Sequence, residues 1–368
     1  SVSSAGMGDP GALDLLRWAF LYTSMGVSIT ITSNAFYQTT VEDVAFRKPH
    51  FQVWAMSFAM TFCLFFDVKA ARMMLTGSWK RLQPLCLAAL CDLFGQLFQR
   101  IGLLYVDMIV YQVLRGGMLL FTAGFRRTML GHRTTPTENV GIAVIMAGLA
   151  LTGMVACYGK QREDREDLGV WWRFFGTVMM LFGNAIISFQ TVLEEKLMKT
   201  DETPVSPLVL VGMEGLVGVL WTSMFCLPVA QMLPGDEGHG GHEDTVSTVR
   251  MLISSSVLQA VTVAYFIAIF AWNIAGMEIC RMSSATTRHV LSQVRTAATW
   301  LAALVLYYSG LLPQYGEPWQ GIESWGKLFG FAILVLGVMI YLHPDPRSGV
   351  RSGDARAQSL LAENDKTV

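Results

Sequence analysis

Arg115 and Arg295 each stand in the middle of an apolar stretch, within Met108–Leu130 and Arg288–Leu306. A guanidinium at mid-depth in hydrocarbon costs at least about 2.5–3.5 kcal/mol, so it is kept where it faces a bundle interior or a wet cavity. Two carboxylates have similar settings, Asp92 in Ala89–Gly95 and Glu214 among the glycines of Gly212–Gly218. A carboxyl group there must be protonated or matched by a cation. Asp92 and Glu214 are therefore candidates for proton coupling, and equally for static partners of Arg115 or Arg295.

Residues three, four, seven and eleven apart share a helix face. Tyr111, Arg115, Met118 and Thr122 form one such row, and Arg288, Ser292, Arg295 and Thr299 another. Asp92, Gln96 and Gln99 make a third, Asn184, Ser188, Thr191 and Glu195 a fourth, and Thr23, Thr30 and Asn34 a fifth. The Ser and Thr positions also suit interhelical hydrogen bonds, worth about 0.6 kcal/mol each. The rows point to a solute cavity lined by Asp92, Gln96, Tyr111, Arg115, Asn184, Glu214, Asn273, Ser292 and Arg295. Glu194, Glu195 and Lys196, with Arg288, read as a gate in which the carboxylates meet Arg126, Arg127 or Lys199; a solvated helix end is the alternative. His289 falls off the polar row and reads as structural.

The elements that must position these residues are spanning helices. The chain has 368 residues, 52% hydrophobic and 15% charged, against about 25% charged in soluble domains. That is the composition of an all-α integral membrane protein. Its net charge of −1 excludes a broadly basic nucleic-acid binder. Stretches of about 20 apolar residues occur near Leu13–Phe36, Phe51–Ala71, Pro84–Val106, Met108–Leu130, Val140–Tyr158, Trp171–Leu193, Pro207–Ala230, Leu252–Met277, Arg288–Ser309 and Lys327–Leu342. About ten spans put both termini on one side. Eleven Lys and Arg fall in the connections of that side against six on the other, which places the termini in the cytosol.

An internal duplication is expected. A shift of about 180 residues lays Ala89–Gly95 on Phe270–Gly276 and Tyr111–Gly117 on Leu291–Ala297, matching Asp92 to Asn273 within one residue and Arg115 to Arg295. Repeats with an odd number of helices insert in opposite senses, and transporters built so bind solute at mid-membrane between the repeats. The expected divisions are a first five-helix repeat over 1–158, a charged connector over 159–168, a second repeat over 169–342 and a polar tail over 343–368. No charged region followed by a cleavable apolar core starts the chain, so no signal peptide is expected.

Other motifs carry less. The six cysteines lie in or beside apolar segments without a CxxC pair, so neither a disulfide framework nor a zinc site is expected. His239 and His242 with the acidic residues of Gly235–Asp244 suggest a solvated loop, with metal or pH sensing as the sharper alternative. There is no HExxH, GxSxG or paired aspartates, so an intramembrane enzyme is not expected, nor any cofactor or resident metal. The partners expected are the bilayer and a small solute, with protons as a candidate coupling ion and the oligomeric state open. The remaining alternatives are a membrane adaptor or receptor that keeps the fold without transport, and a passive channel.

Taken in order, Ala89–Gly95, Tyr111–Thr122, Val192–Lys196, Met213–Gly218 and Ser283–Thr296 resemble the solute carrier 35 family, F subfamily. These are nucleotide-sugar-transporter-like proteins of the drug/metabolite transporter superfamily. The resemblance runs from about Leu15 to Leu342. It implies ten helices in two inverted five-helix repeats, a central cavity and alternating access. It also implies an internal membrane, endolysosomal or vacuolar, Golgi or ER, with mitochondria left open. Among positions matching the family's motifs it adds Gln112 to the cavity residues. The chloroquine-resistance transporters are similar in architecture but carry cysteines in the loop between the seventh and eighth helices, where this chain has none. Relatives in the F subfamily have an acidic dileucine signal in the tail; here Leu360 and Leu361 follow Asp354 at too long a spacing. The resemblance supplies no solute.

Overall fold

The computed structural model describes residues 10–41, 44–46, 48–77, 79–105, 114–132, 134–159, 170–199, 204–232, 243–310, 316 and 318–343. Tyr111 and Gln112, most of the charged connector, the two histidines of the acidic loop and the tail lie outside the described residues.

Helices dominate: α1 (Pro10–Gln38), α2 (Pro49–Thr61), α3 (Val68–Leu75), α4 (Trp79–Tyr105), α5 (Met118–Met129), α6 (Pro136–Gly159), α7 (Val170–Lys199), α8 (Pro207–Trp221), α9 (Leu227–Met232), α10 (Thr245–Ser254), α11 (Ser256–Met282), α12 (Ala285–Ser309) and α13 (Ile322–Leu342). Among the described residues the only β-structure is a two-residue antiparallel ladder, Thr40–Val41 with Val44–Ala45. Among the described residues six helices are long and apolar enough to cross a bilayer, seven if α2 and α3 count as one broken span. The outward faces carry exposed Trp171, Phe174, Val305, Phe329 and Met339. Apolar exposure on that scale needs a non-aqueous partner. The protein is a multi-pass membrane protein.

Local chemistry sets the helix ends. Pro49 and Pro207 open α2 and α8, where a missing N–H costs nothing. Thr135 and Glu138 form a reciprocal capping box at α6: Thr135 N donates to Glu138 Oε2 at 2.8 Å and Glu138 N to Thr135 Oγ1 at 3.2 Å. Gly310, at φ 68°, closes α12 in the left-handed conformation that glycine adopts at least cost.

Two expected spans are redrawn. Phe51–Ala71 is not one rod: α2 passes through a 3-10 turn at Phe62–Phe65 and bends by 104° into α3. Asp67 caps the new helix by accepting from Ala70 N. The span expected from Leu252 starts at Ser256, because Ser255 takes an extended backbone and caps α11 through Leu258 N. Within Pro207–Ala230 the ladder widens to a π turn at Thr222–Cys226, where Leu227 N reaches back five residues to Thr222 O. Pro228, next in line, has no N–H to give.

The closest helix pairs are α4 with α7, α1 with α11, α2 with α8, and α6 with α13. Glycines set three of these seams, that of α2 with α8 through Gly215, whose added Cβ would meet Ser57 O at 2.7 Å. A Cβ on Gly148 would meet Leu334 N at 2.7 Å and Gly330 O at 2.8 Å, and one on Gly183 would meet Gly95 O at 2.7 Å. Backbones this close pack by van der Waals contact, which drives helix association in lipid.

A leucine at Gly148 is therefore expected to destabilise the protein by about 1–3 kcal/mol through overpacking. Gly124→Ala, where a Cβ would meet nothing within 4 Å, is expected to be silent. Thermal unfolding of the two variants in detergent, followed by size-exclusion chromatography, checks the contrast.

Candidate functional site

A cavity of about 270 Å³ lies in the middle of the bundle, walled by residues of α1, α2, α4, α7, α8, α11 and α12 and by Arg115. Asp92, Gln96, Arg115, Glu214, Asn273, Ser292 and Arg295 all line it, and so does Arg288. The structure thus brings seven of the residues expected at a cavity, and one expected at a gate, around a single space.

Each ionic group has a definite setting. Gln96 Nε2 donates to Asp92 Oδ2 at 2.8 Å, one helical turn apart on α4. Arg288, in the first turn of α12, donates through Nη1 to Glu194 Oε2 at 2.7 Å. Gln190 Nε2 donates to the other oxygen of Glu194 at 2.6 Å. The Arg295 guanidinium lies 5.5 Å above the Trp272 ring, a cation–π contact, and Trp272 stacks on Tyr22 at 5.2 Å. Two small residues make room for the arginines. A Cβ on Gly26 of α1 would collide with Arg295 Cδ, and one on Gly276 of α11 would stand 3.0 Å from Arg288 Nε.

Glu214 is 6% exposed, and its Oε1 has no hydrogen-bond partner among the described residues. Its carboxyl lies against that of Glu194, with Asp92 and Arg288 nearby. Trp272 Nε1 and His289 Nε2, both on residues of the cavity wall, are likewise buried without a partner. Unsatisfied buried polar groups cost free energy, and four of them on the wall of one cavity, Gln190 Oε1 being the fourth, mark it as a place for a polar guest.

Arg115 is held by its neighbours. It follows Leu114, whose carbonyl accepts from Asn184 Nδ2 at 2.7 Å, and Ser188 Oγ donates to Met118 O at 3.1 Å. Gln99 Nε2 donates to Asn184 Oδ1 at 2.6 Å. Asn184, expected on the cavity wall, is not there: it is fully buried between α4 and the Leu114–Met118 turn, and its amide is spent on positioning that turn.

The expected gate divides. Glu194 is fully buried and belongs to the cavity through Arg288. Glu195, 2% exposed, forms an ion pair with Arg126 (Nε to Oε2, 3.0 Å) and with Lys199 (Nζ to Oε1, 2.9 Å), and accepts Ala285 N at 2.9 Å. Lys199 also donates to Ser283 O. This clamp ties α5, α7 and the start of α12 together, so the solvated-end alternative fails for both carboxylates. Lys196 is exposed.

A second carboxylate clamp lies at the start of α2. Glu243, 1% exposed, accepts His50 N and Phe51 N, both at 2.8 Å, and sits 2.9 Å from His50 Nδ1. It therefore caps α2 rather than floating in a solvated loop.

Comparison with known proteins follows this geometry. No family model matches the chain. Solute carrier family 35 member F6 of Homo sapiens is 27% identical over 256 residues, covering 69% of this chain and 64% of that protein. The Mus musculus protein of the same description is 27% identical over 258 residues. This chain is a relative of the solute carrier 35 F proteins. It spans about 64% of the length of the curated F6 proteins it matches. An uncharacterized Schizosaccharomyces pombe protein is 24% identical over 261 residues, covering 70% of this chain and 73% of that one. One crystal structure, 16% identical, superposes with a TM-score of 0.54 over 90% of this chain and 96% of its own, and shares the fold.

Sequence reasoning passed over Tyr22, Trp272, Tyr265, Gln190 and His289, all of which line the cavity. The aromatics gave no signal, because in a membrane helix they read as packing. Two signals were there to be used: Gln190 precedes Glu194 by one turn, and His289 stands three residues before Ser292.

Glu195→Ala is expected to destabilise the protein by about 3–5 kcal/mol, since it strands the buried Arg126 charge. Lys196→Ala is expected to stay within about 0.5 kcal/mol. Chemical or thermal denaturation in detergent reads both.

Proposed function

We propose that the protein is a secondary-active solute transporter of the drug/metabolite type, moving a small polar or charged metabolite across an intracellular membrane by alternating access. The observation that carries this reading is the central cavity, where arginines and carboxylates from both halves of the chain face one space. The relatives named as solute carriers support it, and so does the pairing of helices: if α1, α2, α4 and α6 are matched with α7, α8, α11 and α13, the α4–α7 pair becomes the α1–α11 pair. In this reading residues 1–158 and 169–342 are inverted five-helix repeats, both termini are cytosolic, and bilayer, solute and protons are the partners.

The mechanism follows from charge matching. In the empty cavity, Arg288 neutralises Glu194, while Glu214 presses a second carboxyl against that pair and needs a proton or a cation beside it. Solute supplies new partners to these groups and so changes the relative free energies of the two access states, as a ligand must if it is to drive the change. The Glu195 clamp at the end of α7 and the Glu243 clamp at the start of α2 are the contacts that opening to each side would release in turn.

Arg115→Gln is expected to abolish solute uptake in reconstituted proteoliposomes while leaving the elution profile and melting temperature close to wild type. Unchanged uptake by the variant would remove Arg115 from the site.

A further inference from the structure

Most of the charged groups around the cavity are already engaged. Arg288 pairs with Glu194, Arg295 lies over Trp272, and Asp92 accepts from Gln96. Two ionic groups differ. Glu214 presents a buried Oε1 without a hydrogen-bond partner. Arg115, held at the wall by the turn that Asn184 and Ser188 fix, makes no hydrogen bond or ion pair among the described residues. One cation and one carboxyl oxygen, both without a partner among the described residues, thus share a cavity, the carboxyl's other contact being with Glu194.

We infer that the transported solute is a small zwitterion of amino-acid size, its anionic group on Arg115 and its cationic group on Glu214; this rests on the transporter reading above. Charge balance favours it. When the solute's cationic group takes the place of a proton on Glu214, Arg115, Arg288 and Arg295 are matched in number by Asp92, Glu194 and Glu214, and a zwitterion brings its own two charges in equal number, so none of the buried charges is left uncompensated. Size agrees as well: about 270 Å³ is below the roughly 300–1,000 Å³ of pockets for drug-sized ligands, too little room for a nucleotide joined to a sugar. The rest of the wall suits the body of such a molecule. The stacked Tyr22 and Trp272, with Ile269 and Met60, offer an apolar face, while Trp272 Nε1 and His289 Nε2 remain for a further polar atom.

The test uses the full chain in proteoliposomes and measures counterflow of radiolabelled proteinogenic amino acids, beside a nucleotide sugar, a sugar phosphate and a polyamine. The inference expects saturable counterflow of at least one amino acid. Its N-acetyl form and its methyl ester should each inhibit at least about tenfold more weakly, because each leaves one buried charge unmatched. Arg115→Gln and Glu214→Gln should each lose amino-acid counterflow, with Arg115→Lys retaining part of it. Saturable counterflow confined to the anionic solutes or to the polyamine, or equal inhibition by the blocked forms, would overturn the zwitterion and leave the transporter standing. Absence of saturable counterflow for every probe, from protein that elutes as a single folded species, would overturn both.

Discussion

Burying charge inside an apolar bundle is the constraint on which this structure turns. Each ionic group removed from water carries a penalty of several kcal/mol unless a counter-charge and hydrogen bonds replace its solvent. The protein meets that demand locally at almost every site. Glu194 takes Arg288 and Gln190, Glu195 takes Arg126, Lys199 and a backbone N–H, and Glu243 takes two N–H groups and His50. Where the demand is left open, at Glu214 and Arg115, the open groups face the same central space. The unsatisfied positions therefore locate the site, and the satisfied ones hold it in shape.

The scaffold divides into parts that resist change and parts that yield. Glycine seams between α4 and α7 and between α6 and α13 bring backbone against backbone, and such close packing moves as a body. The carboxylate clamps are different in kind. Each is a small set of polar bonds at the tip of a helix, which water could replace. Rigid seams with breakable ends would suit the alternating access proposed above. The arginines depend on the seams for space, since Gly26 and Gly276 leave room for Arg295 and Arg288.

Much of this was legible in the sequence wherever a charge interrupted an apolar run. Arg115, Arg295, Asp92 and Glu214 announce themselves because hydrocarbon gives no other reason to keep them. Helix ends were less legible. The bend after Phe65 and the start of α11 at Ser255 depend on single capping side chains, which hydropathy averages away. Roles were hardest to read where a polar residue could serve either solute or scaffold. Asn184 shared the spacing of a cavity residue, yet its amide is used up on Gln99 and the Leu114 carbonyl. Glu195 could be read as a gate residue meeting Arg126 or Lys199 or as a solvated helix end, and its third partner, the Ala285 N–H, is remote in the chain and gave no signal. Tyr22 and Trp272 were invisible for the opposite reason, being apolar enough to pass for packing. The chain's kinship to solute carriers agrees with a fold devoted to surrounding one polar space.

The central claim, that a polar cavity inside the bundle is open to water in at least one state, is tested most directly at Ser292, a wall residue of α12. Ser292→Cys, made with the six native cysteines replaced, should react with a membrane-impermeant maleimide in sealed proteoliposomes, and a transported solute should slow that reaction. Modification by lipid-soluble reagents alone, unaffected by any solute, would mean that the charges of this bundle are a sealed structural network with no path to water.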